Sequence, residues 1–185
     1  MLIVELKKLQ VNGIDTRIEP YNSYTNKILK LVQIVMNKQA MQEFIINYRC
    51  QYRNGFSQTT LDNAQIFNAF YSGQERGGEN DGIWQAEINY YYAKTSTVGY
   101  TNVGSTLINT NTRLIPLAYD NESLADRVGN LVHEYCHLVG MDHSGPYSFW
   151  KKKERLYSAP YAIGHAAQSI AKAHLGMGSE VWNAL

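Results

Sequence analysis

The amino-acid sequence predicts an α/β (α+β) fold on three observations: a period of two in the middle of the chain, segments of helical period on either side, and no internal repeat or linker. The alternation runs through Trp84, Ala86, Ile88, Tyr90 and Tyr92, the pattern of a half-buried strand. Helical spacing is clearest in Ile28, Leu31, Val32 and Val35 before it, and in Leu124, Val128, Leu131, Tyr135 and Leu138 after it. The chain has 185 residues, 44% hydrophobic and 18% charged. One domain over 1–185 with a packed core is therefore expected, rather than a disordered or fibrous chain.

The elements follow in order. Met1 to Lys8 has an apolar stretch broken by Glu5, too short for the apolar core of a signal peptide, and reads as a first strand. Asn22-Ser23 offers a cap to a long amphipathic helix continuing towards Met36 and Ala40. Phe44-Ile45-Ile46 either extends it or begins a strand. Thr59-Thr60 precedes a shorter helix over Leu61 to Tyr71, closed by Ser72-Gly73, and Gly77 to Gly82 reads as a loop. A further strand covers Thr106 to Asn109, and Thr97 to Gly104 is an edge strand or loop loosened by glycine. The next helix is expected to start near Ser123, where Ser123 and Asp126 have capping-box spacing.

Several function classes lose support on composition. A formal net charge of +1 gives no broad field for nucleic acid or an anionic membrane surface. No run approaches the roughly 18 apolar residues of a membrane span, so a soluble chain is expected. Cys50 and Cys136 allow at most one disulfide and leave the compartment open.

The chemistry concentrates in His133-Glu134-Tyr135-Cys136-His137-Leu138-Val139-Gly140-Met141-Asp142-His143. The stripe from Leu124 to Leu138 lies within about 40° of one line at about 100° per residue. His133, His137, Asp126 and Asn130 fall on the opposite side. Two histidines four residues apart project one above the other and can share one zinc ion. A catalytic zinc needs a third protein ligand, and on a continued helix His143 would lie about 9 Å further along the axis than His137. Gly140 removes the difficulty, because glycine accepts a left-handed turn at a helix C-terminus that returns His143 to the metal. Glu134, beside the first ligand, is the expected general base for a water activated by the single zinc ion.

These five positions resemble the His-Glu-x-x-His-x-x-Gly-x-x-His signature of the metzincin clan of zinc metallopeptidases. Val98-Gly99-Tyr100, Leu107 to Thr110 and Gly129 to Val132 are similar to small bacterial and phage-associated proteins of this kind. The resemblance implies a zincin-like twisted mixed sheet packed on an active-site helix. It also implies an upper subdomain over about 1–140 and a small C-terminal helical subdomain over about 141–185. It further implies a zinc endopeptidase whose peptide or protein substrate adds to the sheet as an extended strand. The clan carries a methionine in a tight turn under the metal, and here the sequence departs from it. The segment Ser158 to Gly164 stands in its place, with Pro160 opening a helix through Ala166, Ala167, Ile170 and Ala171. Pro160 or Tyr161 is expected beneath the metal, and the Tyr161 hydroxyl is a candidate donor to the developing oxyanion.

Two other readings fit the motif: a zinc site kept for structure or partner recognition, and a metal hydrolase acting on a non-peptide amide such as a cell-wall crosslink. Glu134 argues against the first, since a structural site needs no base. Pocket shape decides the second. Other residues are given plainer roles. Cys136, about 100° from His137 on the wheel, is expected as a packed thiol, and Asp142 as a group shaping the turn. His165 and His174 are expected away from the metal, Lys151 to Arg155 as a solvated charge run, and Asp126 and Asn130 as groups orienting a ligand imidazole.

Overall fold

The computed structural model describes residues 1–12, 18–47, 62–73, 81–102, 105–141 and 159–177. The elements in chain order are β1 (Ile3–Asn12), α1 (Ile18–Met36), α2 (Gln39–Asn47), α3 (Asn63–Tyr71), β2 (Ile83–Tyr91), β3 (Gly99–Thr101), β4 (Leu107–Asn111), α4 (Asn121–Leu138) and α5 (Ala159–His174). The fold is mixed α/β, as the two periods predict. Its sheet has the order β1-β2-β4-β3. β1, β2 and β4 are parallel and β3 runs antiparallel to β4.

The alternation in β2 is the hinge of the packing. Trp84, Ala86, Ile88 and Tyr90 are all fully buried, whereas Tyr92, just past the strand, is exposed. Trp84 stacks on Tyr135 of α4 at 4.2 Å between ring centroids, and Tyr90 lies 6.1 Å from Tyr21 and 6.4 Å from Tyr24 of α1. Both helices thus cover the same face of the sheet. Leu124, Val128, Leu131, Tyr135 and Leu138 are all 0–1% exposed, so the expected stripe is the core face of α4. Ala159, Ile163, Ala166, Ala167 and Ala171 of α5 join the same apolar cluster. The helix that the sequence assigns to a lower subdomain therefore shares its core with the sheet and α4.

Two helix starts differ from expectation. α1 begins at Ile18, and Asn22 lies inside it, hydrogen-bonded by Asn26 Nδ2 at 3.2 Å. Pro20 suits a first helical turn, and the earlier start lets Tyr21 and Tyr24 pack on Tyr90. In α4 the cap is Asp120, whose carboxylate accepts the Ser123 N–H at 2.9 Å. An anion there also complements the positive end of the helix dipole. α2 settles Phe44-Ile45-Ile46 as helix. α3 is capped by Asp62 and Gln65 in a reciprocal capping box and closed at Ser72 and Gly73, where φ is 69°. Among the described residues no helix is long and apolar enough to cross a membrane.

The two edges of the sheet are treated differently. On β1, Asn37 accepts the Leu2 N–H at 2.8 Å and donates to the Leu2 carbonyl at 2.7 Å, while Gln33 accepts the Val4 N–H at 2.9 Å. Side chains from α1 and the turn after it thus occupy the polar groups that another strand would use. β3 forms the opposite edge, with Val98 and Tyr100 exposed.

Candidate functional site

The polar side of α4 faces β3 and α5. Asp126, Asn130, His133 and His137 are all half-buried, matching their place on the wheel. The His133 and His137 rings lie 5.2 Å apart, centroid to centroid, on successive turns. His137 Nδ1 is 2.8 Å from the Met141 carbonyl. That oxygen only accepts, so Nδ1 carries the proton and Nε2 is the basic nitrogen.

The turn that supplies this carbonyl is set by Gly140. α4 ends with Val139 as its cap, and Gly140 follows with φ 95°. The Met141 N–H returns to the Cys136 carbonyl at 2.9 Å and the Gly140 N–H to that of His137 at 3.2 Å. This is a Schellman-type ending, and it needs a positive φ that side chains disfavour. A left-handed glycine ending the helix after the second histidine is as the spacing predicts. Asp142 and His143 lie outside the described residues, as do Ser158, Cys50 and Lys151 to Arg155. Among the described residues no three His, Cys, Asp or Glu side chains converge as a metal-binding group.

Glu134 is 3% exposed, beneath β3. Thr101 Oγ1 donates to its Oε2 at 3.2 Å. Burial pushes its carboxyl up to about 7, against the weaker lowering effect of the Thr101 bond. Gly99 makes the approach of the strand possible: a Cβ there would stand 2.7 Å from Asn130 Nδ2, 2.9 Å from Glu134 Oε1 and 3.0 Å from the Asn109 carbonyl.

α5 reaches the site because it crosses α4 at two glycines. A Cβ on Gly129 would meet Gln168 Cβ at 2.8 Å and the Gly164 carbonyl at 3.0 Å, and one on Gly164 would meet the Gly129 carbonyl at 2.9 Å and His133 Cβ at 3.0 Å. This contact sets Tyr161 edge-on to His133, with ring centroids 4.5 Å apart. Pro160 is buried in the first turn. His165, expected away from the metal, stacks 6.3 Å from Tyr161 with its Nδ1 3.4 Å from Gln168 Oε1. Gln168 also donates to Asp126 at 2.5 Å, so Asp126 is engaged with α5, and Asn130 accepts from Thr110 of β4 at 2.9 Å. His174 is exposed. Cys136 is a buried thiol bonded to the Val132 carbonyl at 3.2 Å, and burial raises its pKa well above the usual thiol range.

Two contributors escaped the sequence reading. Thr101 shares the helix-facing side of β3 with Gly99, a parity that alternation alone would have shown once β3 was known to be a strand. Arg127 is fully buried and donates to Thr110 Oγ1 and the Ile115 carbonyl, with Cζ 5.5 Å from the Tyr90 ring. On the wheel it falls within about 20° of Glu134, at the margin of the core stripe, and a charge there was the available signal. Set against known protein families, curated proteins and solved structures, the chain matches none.

Proposed function

We propose that this chain is a zinc-dependent endopeptidase of metzincin type. The observation that carries the reading is the pair His133 and His137, edge-on on successive turns of one helix face, with Glu134 buried beside it, under an edge strand. The donor chemistry fits zinc: His137 is held by the Met141 carbonyl as the tautomer whose Nε2 binds a metal, the usual support for a ligating imidazole. His133, His137 and, from the sequence pattern, His143 would hold the single ion. Bound there, zinc supplies Lewis acidity that acidifies a water molecule and polarises the scissile carbonyl.

The chain's own groups do the rest. Glu134 takes a proton from water on its Oε1 side while Thr101 holds Oε2, and passes it to the leaving amine. The Tyr161 hydroxyl donates to the oxyanion as it forms. An extended peptide pairs with β3, the edge that among the described residues carries no clamp like that of Asn37 and Gln33 on β1.

The test is metal content of the purified protein together with cleavage of a broad peptide library by wild type and Glu134→Ala. Bound zinc with cleavage lost in Glu134→Ala is expected. Zinc without cleavage by either protein would overturn the peptidase in favour of a structural or binding site. Cleavage confined to non-peptide amides would assign the same chemistry to another substrate class.

A further inference from the structure

A buried arginine normally has a carboxylate beside it. Among the described residues Arg127 hydrogen-bonds to none: Thr110 Oγ1 and the Ile115 carbonyl take its two terminal nitrogens. A guanidinium only donates, so Thr110 Oγ1 accepts from it and the hydroxyl proton must be spent elsewhere. The next partner is Asn130 Oδ1, 2.9 Å away. The bonds therefore run in one direction, from Arg127 through Thr110 to the Asn130 carbonyl oxygen. This decides which end of the amide is which, and turns its NH2 group towards β3.

There, Asn130 Nδ2 and Glu134 Oε1 flank one point, at 2.7 and 2.9 Å from where a side chain on Gly99 would begin. Nδ2 forms no hydrogen bond among the described residues, that across the gap to Glu134 Oε1 included, and a half-buried amide donor left so is uncommon. The absent Gly99 side chain leaves donor and carboxylate on a common side of α4, one turn apart.

We propose that Asn130, aimed by the Arg127–Thr110 relay, is a positioning residue for Glu134: Nδ2–H and Oε1, which flank the Gly99 gap unbonded in this structure, close to a hydrogen bond in the working site, which with the Thr101 bond to Oε2 fixes the plane of the carboxylate. This rests on reading Glu134 as the base. It also accounts for the buried arginine, whose donor-only chemistry gives the relay its direction.

The test pairs an activity readout with one that needs no turnover. Side-chain amide hydrogen exchange of Asn130 is followed in the purified protein, its resonance identified by loss in Asn130→Asp. Protection should fall about tenfold or more in Glu134→Ala and in Thr110→Val, and Thr110→Ser should restore it. In parallel, kcat should fall about 10- to 100-fold in Asn130→Asp and Thr110→Val, with KM and zinc content unchanged, and recover in Thr110→Ser. Wild-type kcat in Asn130→Asp, where Glu134→Ala is inactive, would overturn the proposal. If wild type itself cleaves no peptide, the peptidase reading falls separately, and exchange decides: protection unchanged in Glu134→Ala overturns the role of Asn130.

Discussion

Glu134 carries the strongest electrostatic conflict in the site, a carboxylate buried for use and disfavoured by the same burial. Its carboxyl is raised from 4.5 to about 7, so the folded state holds the proton more tightly than the unfolded one. The associated stability is full below about pH 4.5 and is lost as pH rises through about 7. In metal-free protein, Glu134→Gln should therefore exceed wild type in stability at pH 8 by up to about 3 kcal/mol, with little difference at pH 4. Urea denaturation at the two pH values measures this, and equal stabilities at pH 8 would contradict the buried-carboxyl account. Tyr161 gives a second prediction at this scale. As an oxyanion donor it should lose about 10- to 1,000-fold in kcat on Tyr161→Phe while zinc stays bound. Full kcat would reduce it to a ring packed on His133.

At the scale of elements, the crossing of α4 and α5 determines whether Tyr161 and His133 meet. Gly164→Ala weighs two opposed effects. Helix propensity favours alanine by about 1 kcal/mol. The new Cβ meets the Gly129 carbonyl at 2.9 Å and His133 Cβ at 3.0 Å, and a backbone oxygen cannot rotate away. Overpacking of this kind costs about 1–3 kcal/mol, so net destabilisation is expected, with weaker zinc binding as His133 shifts. Thermal melts and metal titration read both, and a stabilised variant with unchanged zinc affinity would show that the helices have room to part. This contact also marks where the sequence stopped being legible. The α4 stripe, its polar face and the Gly140 ending follow from spacing alone, because each is local in the chain. The Gly129–Gly164 contact joins residues 35 positions apart in numbering, and no local pattern reports which two glycines face each other. Tyr161 illustrates it: its stacking on His165 is one helical turn away in sequence, but its contact with His133 depends on the crossing.

For the molecule as a whole, the two edges of the sheet differ: among the described residues one is clamped by side chains where it begins and the other is not. Asn37 and Gln33 take the outward polar groups of Leu2 and Val4 where β1 begins, and removing the former exposes a paired donor and acceptor to another chain. Asn37→Ala should raise self-association, visible as concentration-dependent size in sedimentation or gel filtration. A strictly monomeric variant would mean that α1 shields the edge without it. Thr101 and Arg127 were missed for a related reason: their importance comes from β3 and β4 lying against α4, an arrangement set by the strand order and not by either segment. The alternation in β2 showed that a face was buried, but its clean pattern could not say which helices would cover it.

The open edge is only three residues long. A peptide laid along it gains few backbone hydrogen bonds, each worth about 1 kcal/mol net, so the strand alone grips weakly. In the proposed reaction, a short grip means that cleaved halves depart readily, and turnover would not stall on product. Choice among peptides would then be made by side chains seated around His133 and Tyr161, leaving the edge to supply direction and little selectivity.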